Sequence, residues 1–324
     1  MALDTKFQSK NDVNVYIGTE ITMGTATLGA GTWNKAPVVD YSIQAKQAPL
    51  GVAPQRSNTF GQPESGLAHD RTQQLFEISL TMHATASVIN RICGALYEDS
   101  DGTNALLGNS PATVSFKDGS SNTVPVTLLF ENGGSNDNDL KYTSCLCTSM
   151  ELAYAIGTDG GAMTCTATFV TGYEPTEESL TPSSSTDMAG TIMNIFDVTT
   201  QQLGGQDLLL HNFNLNISRA VNRVSWSSAS NYKPLGYSIG MYEVTGVFGC
   251  KRDANSIQVP TNTSAGIALS VQSTSPVLQI DAPDVVVESV STDLADEGWK
   301  EEFSFRAFFD DSSQSNPIVT IATS

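Results

Sequence analysis

A mainly β chain is predicted by three observations. Hydrophobic residues make up 40% of the 324 residues but charged residues only 15%. Ser, Thr, Asn and Gly are abundant, a mixture that suits strands and turns better than surface helices. Apolar side chains also recur at every second position in several short runs, the period of a half-buried strand. A chain of this length accommodates two such units.

From Asp12 to Thr32 short apolar groups (Val13, Val15, Ile17) alternate with Gly and Thr, which predicts an arm or a first edge strand that reaches a neighbour. Val38 to Gln44 follows, with Val39, Tyr41 and Ile43 on one face. Ala45 to Gln74 contains Pro49, Pro54 and Pro63, repeated glycines and no apolar period. It is expected to form a long loop or extended hairpin, and loops beyond about 12 to 15 residues are commonly functional. Phe60 and Leu67 are its apolar anchors.

Leu75 to Ala84 sets Phe76, Ile78, Leu80 and Met82 against Glu77, Ser79, Thr81 and His83, the clearest alternation in the first half. The period then lengthens. Val88, Ile89, Ile92, Cys93 and Leu96 fall at helical spacing, with Thr85 or Ser87 available as N-cap, so one amphipathic helix should cover a sheet face. Further strands are predicted at Ala112–Lys117, Thr123–Phe130, Ser144–Tyr154 and Met163–Thr171, separated by glycine-bearing turns.

After Tyr173, the acidic and polar stretch EPTEESLTPSSSTD is the candidate linker. Beyond it the pattern repeats. Leu208–Ser218 carries Phe213, Leu215 and Ile217 on one face, and a Ser-rich loop with Trp226 follows. Phe76–Ser79 is then matched by Tyr242–Thr245. The last hairpins match at a shorter spacing, Gly160 and Cys165 against Gly298 and Phe303. The expected fold is therefore two tandem β-sandwich or barrel domains, the first with a flanking α-helix. Their bounds are an arm at 1–34, a first domain at 35–173, a linker at 174–190 and a second domain at 191–324.

Composition excludes several functions. A formal net charge of −18 opposes a DNA-binding body, because sequence-independent affinity comes from Lys and Arg displacing counterions. Cys93, Cys145, Cys147, Cys165 and Cys250 are odd in number and sit in apolar strand-like segments, which points to reduced, buried thiols. No secretory signal and no stretch of about 20 apolar residues is present, so synthesis and assembly in a cytoplasm are expected.

Chemistry finds little footing. His69, His83 and His211 stand in no nucleophile–base signature, and the C-x-C pair at Cys145 and Cys147 lacks a second ligand pair with zinc-like spacing. Gly157–Ala162 lacks the Lys of a phosphate loop and joins two strands. The acidic runs at Asp99–Gly102 and Asn136–Asp139 lack the terminal Glu of a calcium loop. No catalytic, cofactor or metal residue is assigned.

The stretches NFNLNISR, YEVTGVFG and LQIDAPDVVVESVSTDLADEGWKEEFSFRAFFDD resemble the tail tube (major tail) protein family of long-tailed phages. An Ala282–Pro283 kink leads there through an acidic-Gly turn to a last strand with Phe303 and Phe305. The resemblance implies a virion protein whose rings stack around a channel for DNA, with other tail proteins at the tube ends. Tandem domains imply trimeric rings with pseudo-sixfold symmetry. Candidate contacts between copies are Val13, Val15, Ile17, Phe60, Leu67 and Trp226. A capsid decoration protein, a secretion-system tube and a carbohydrate-active enzyme share parts of the pattern. The enzyme needs paired carboxylates about 5 to 10 Å apart, and no focused acidic cluster is visible.

Overall fold

The structure, a computed structural model, describes residues 13–20, 33–47, 74–97, 113–116, 125–132, 139–156, 159–178, 182, 185–188, 190–224, 236–251, 267–274, 276–295, 298–308 and 317–323. The chain runs β1 (Val13–Thr19), β2 (Trp33–Ala36), β3 (Val38–Gln47), β4 (Gln74–His83), α1 (Ala86–Leu96), β5 (Thr113–Phe116), β6 (Val126–Asn132), β7 (Asp139–Ala155), β8 (Thr164–Thr171) and β9 (Thr176–Glu178). It continues through β10 (Ser185–Asp187), β11 (Val198–Leu203), β12 (Gln206–Asp207), β13 (Leu210–Val224), β14 (Gly236–Lys251), β15 (Ile267–Thr274), β16 (Val277–Ala295), β17 (Gly298–Ala307) and β18 (Val319–Thr323).

The fold is mainly β with one flanking helix, as the alternating runs predict. Its centre is an eight-strand antiparallel run ordered β3-β4-β8-β7-β13-β14-β17-β16. Strands β7 and β16 are long enough to serve two sheets. The first part of β7 pairs with β6 and β9, and its last part with β8 and β13. In the same way the first part of β16 pairs with β15 and β18, and its last part with β17.

One set of pairings occurs twice. β1–β2, β1–β6, β3–β4, β4–β8, β6–β7, β7–β8 and β7–β9 recur as β11–β12, β11–β15, β13–β14, β14–β17, β15–β16, β16–β17 and β16–β18. Two of the irregularities in the central run recur with them. The β3–β4 ladder shifts at Val39 and the β13–β14 ladder at His211; β7–β8 shifts at Thr148 and β16–β17 at Glu288. Bulges bend a strand at a set place, so shared bulges tie the two halves residue by residue. Thr148 corresponds to Glu288, and Val39 to His211.

This geometric match moves the sequence alignment by two positions. Ile78 corresponds to Gly246 and Phe169 to Phe305, whereas the residue patterns aligned Ile78 with Val244. A slip of two keeps every side chain on its face, so the inside–outside pattern does not detect it.

Three expectations need correction. The supposed arm strand β1 lies between β2 and β6, so it is internal. Residues 174–190 carry β9 and β10, which pair with β7 and β2. Val39 does not share a face with Tyr41 and Ile43: the bulge turns it out, 56% exposed, and Val38 packs inward instead.

One core runs through both halves, from Ile78, Leu80 and Phe169 to Phe248, Phe303 and Phe305. Helix α1 lies on it. Thr85 caps the helix, accepting from the Val88 N–H at 3.2 Å and donating to the Met188 carbonyl at 2.9 Å, an N-cap of about 1 kcal/mol. The halves also interlock away from the central sheet. β18 pairs with β5, and the Tyr242 hydroxyl donates to the Leu96 carbonyl at the helix end at 2.9 Å.

Where β7 bends between sheets, Ser144 takes a left-handed φ of 51°. Its N–H and hydroxyl both donate to the buried Glu20 carboxylate, at 2.7 and 2.6 Å, and Thr127 donates to it at 3.0 Å. Positive φ is rare outside Gly, Asn and Asp, and this carboxylate holds it in place.

Candidate functional site

The two faces of the central run differ in kind. Helix α1 and the apolar side chains occupy one face. The other, open face is built from the alternate positions of the same strands. Across β4 and β8, Ser79 stands opposite Thr168 and Thr81 opposite Thr166, with hydroxyls 3.2 Å apart in the second pair. The ladder continues through Ser149 and Glu151 of β7 to Ser218 and Asn216 of β13. It then passes to Thr245 of β14, Ser304 of β17 and Ser289 of β16. Hydroxyls and amides dominate.

Charges on this face are biased. Among the described residues it carries Asp40, Glu77, Glu151, Glu243, Glu288, Asp293 and Glu302 against Lys251, Lys300 and Arg306. Arg306 is shared between Glu243 at 2.9 Å and Glu288 at 3.1 Å, and the Asn214 amide donates to Glu151. An acidic, hydroxyl-rich surface repels phosphate and offers a sliding polyanion no lasting partner.

The face is continuous across the middle of the chain. β7 and β13 pair from Ser149–Ser218 to Ala155–Asn212, so nothing interrupts it where the halves meet. On the core side of that seam, the Tyr154 and Phe213 rings lie 5.4 Å apart.

The sequence-assigned contact residues divide. Val15 and Ile17 are each 1% exposed in the chain's own core, and Val13 packs against it, so Val15 and Ile17 have no surface to offer a neighbour. Phe60, Leu67 and Trp226 lie outside the described residues, as do His69 and most of the Ala45–Gln74 loop. Exposed apolar side chains that the sequence did not single out include Met241 (74%), Phe196 (71%), Leu294 (68%), Leu209 (60%), Ile156 (52%) and Trp299 (49%). Leu294, Ile156 and Trp299 share the alternation of buried neighbours, and Leu209 stands between the buried Leu208 and Leu210, so no sequence signal separates them.

The five cysteines are buried and form no disulfide. Burial pushes the Cys147 thiol up to about 12, against the opposing pull of Arg219, and also raises Cys93, Cys145 and Cys165. Nucleophilic and metal-binding thiols need the opposite shift. Among the described residues no group of three or more His, Cys, Asp and Glu is arranged to hold a metal. No described helix is long and apolar enough to cross a membrane. No family model and no curated protein matches the sequence.

Proposed function

We propose that the chain is a structural virion protein that polymerises into stacked rings, forming a phage tail tube through which DNA passes on ejection. The observation that carries this reading is the eight-strand run with its core on one face and an acidic, hydroxyl-rich open face on the other. In a closed ring, only the open face is left to line a channel. The sequence resemblance to tail tube proteins points the same way.

The repeated pairings support a chain made of two copies of one tube unit, and hence rings of three chains with pseudo-sixfold symmetry. Three eight-strand runs give about 24 strands, and at about 4.8 Å spacing these close at about 37 Å backbone diameter before tilt widens the ring. Barrels of 16 to 18 strands already hold an aqueous channel. The protein is then assembled in the host cytoplasm, carried in the phage tail, and capped by other tail proteins at the tube ends. Electron microscopy of the purified protein over a range of concentrations tests this. Hollow rings or tubes are expected, and compact single chains throughout would reject it in favour of a decoration role.

A further inference from the structure

We infer that β16 of one copy pairs antiparallel with β3 of the next, in the register that β7 and β13 already use inside the chain. The inference rests on the ring-subunit reading and names the strands and residues that make the ring.

Inside the chain, the last part of β7 is held by β13. β16 is the repeat equivalent of β7, and β3 that of β13, with the same partners and bulges in each half. The edges that β7 and β13 present to each other are therefore the edges at which β16 and β3 end the eight-strand run. No described strand pairs there. A bare edge templates addition of another strand. A head-to-tail contact of this kind closes a ring when its rotation closes, and a chain that already contains the contact once shows its geometry.

Burial supports the equivalence. Tyr154 and Phe213 meet at the internal seam and are 4% and 1% exposed. Their counterparts are Leu294 and Tyr41. Leu294 lies as far past the Glu288 bulge as Tyr154 lies past Thr148, and Tyr41 as far past Val39 as Phe213 lies past His211. Leu294 is 68% exposed in the single chain and Tyr41 half-buried, as expected of a seam with one side missing. Transferring the internal register places Leu294 opposite Tyr41, Asp293 opposite Ser42 and Thr292 opposite Ile43.

The test is disulfide trapping between two singly substituted chains. Tyr41→Cys chains are mixed with Leu294→Cys chains, and Ser42→Cys with Asp293→Cys, under mild oxidation. Neighbouring antiparallel pairs alternate between about 4.5 and 5.5 Å between Cα atoms, so both pairs lie within disulfide reach. Diagonal residues are about 7 to 8 Å apart, so Tyr41→Cys with Thr292→Cys is the out-of-register control. The native cysteines are buried and contribute little background. Covalent dimers in both in-register mixtures, at least tenfold above the control and above either variant alone, are expected. Rings that form without these cross-links, or with the control pair favoured, would overturn the register and leave the tube reading intact. A wild-type protein that forms no ring would overturn both.

Discussion

Tyr154 and Phe213 come from different halves of the chain and stand directly opposite each other across the β7–β13 ladder, their rings 5.4 Å apart and tilted by 31°. This pair joins the two halves into one sheet. Phe213→Ala is expected to destabilise by about 3 to 5 kcal/mol, the cost of deleting a buried aromatic. Tyr154→Phe keeps the ring and removes a buried hydroxyl with no hydrogen-bond partner among the described residues, so stability should hold or rise slightly. Urea unfolding midpoints of the two variants measure both.

Glu20 is the second structural keystone. Glu20→Ala leaves the Ser144 N–H, the Ser144 hydroxyl and the Thr127 hydroxyl short of their acceptor. A loss of about 2 to 4 kcal/mol is expected for several buried groups left unsatisfied. An unfolding midpoint equal to that of the wild type would show that the bend in β7 holds itself.

Alkaline pH should weaken the fold. The thiols of Cys93, Cys145, Cys147 and Cys165 and the hydroxyls of Tyr16 and Tyr237 are raised in the folded state, the tyrosines to about 12, with burial as the leading cause. For groups raised on folding, the stabilisation is complete below the unfolded pKa. It is lost as pH climbs, because only the unfolded chain ionises easily. Stability should be flat from about pH 6 to 7 and fall from about pH 8, as unfolded thiols ionise. A thiol reagent at pH 8 should find few reactive groups in the native protein and five after denaturation.

The charge of the open face is open to test directly. Glu243→Lys with Glu302→Lys changes seven acids and three bases to five of each among the described residues. Assembled wild-type protein should show no retention of duplex DNA at low salt. The double variant should bind it, with an affinity that falls steeply as salt rises. Equal behaviour of the two would remove the face from the channel.

One end of the central run carries an apolar lip. Ile156 and Leu209 line a shallow pocket there with His211, Lys251 and Lys300. Leu209→Glu should leave rings intact and impair their stacking by tenfold or more in sedimentation. Unchanged tube length would assign stacking to other surfaces.

Much of the architecture was legible in the sequence because local periodicity is strong. Strand β4 alternates without a fault from Phe76 to His83, and the apolar spacing of α1 with Thr85 ahead of it marks the helix and its cap. Position within a sheet was not legible. Val13, Val15 and Ile17 alternate as an edge strand would, and only pairing on both sides reveals β1 as internal. Bulges at Val39, Thr148, His211 and Glu288 carry no residue signature, so the repeat was seen while its alignment slipped by two. The open face and the seam depend on pairings between segments far apart in the chain, such as Asn214 with Ala153, which no local pattern encodes.

The most direct test of the central claim is electron microscopy of the assembled protein, with native mass measurement to count the chains in one ring. Three chains around an open channel, each contributing two similar lobes, are expected. Single chains at every concentration, or a ring of six chains, would contradict the claim.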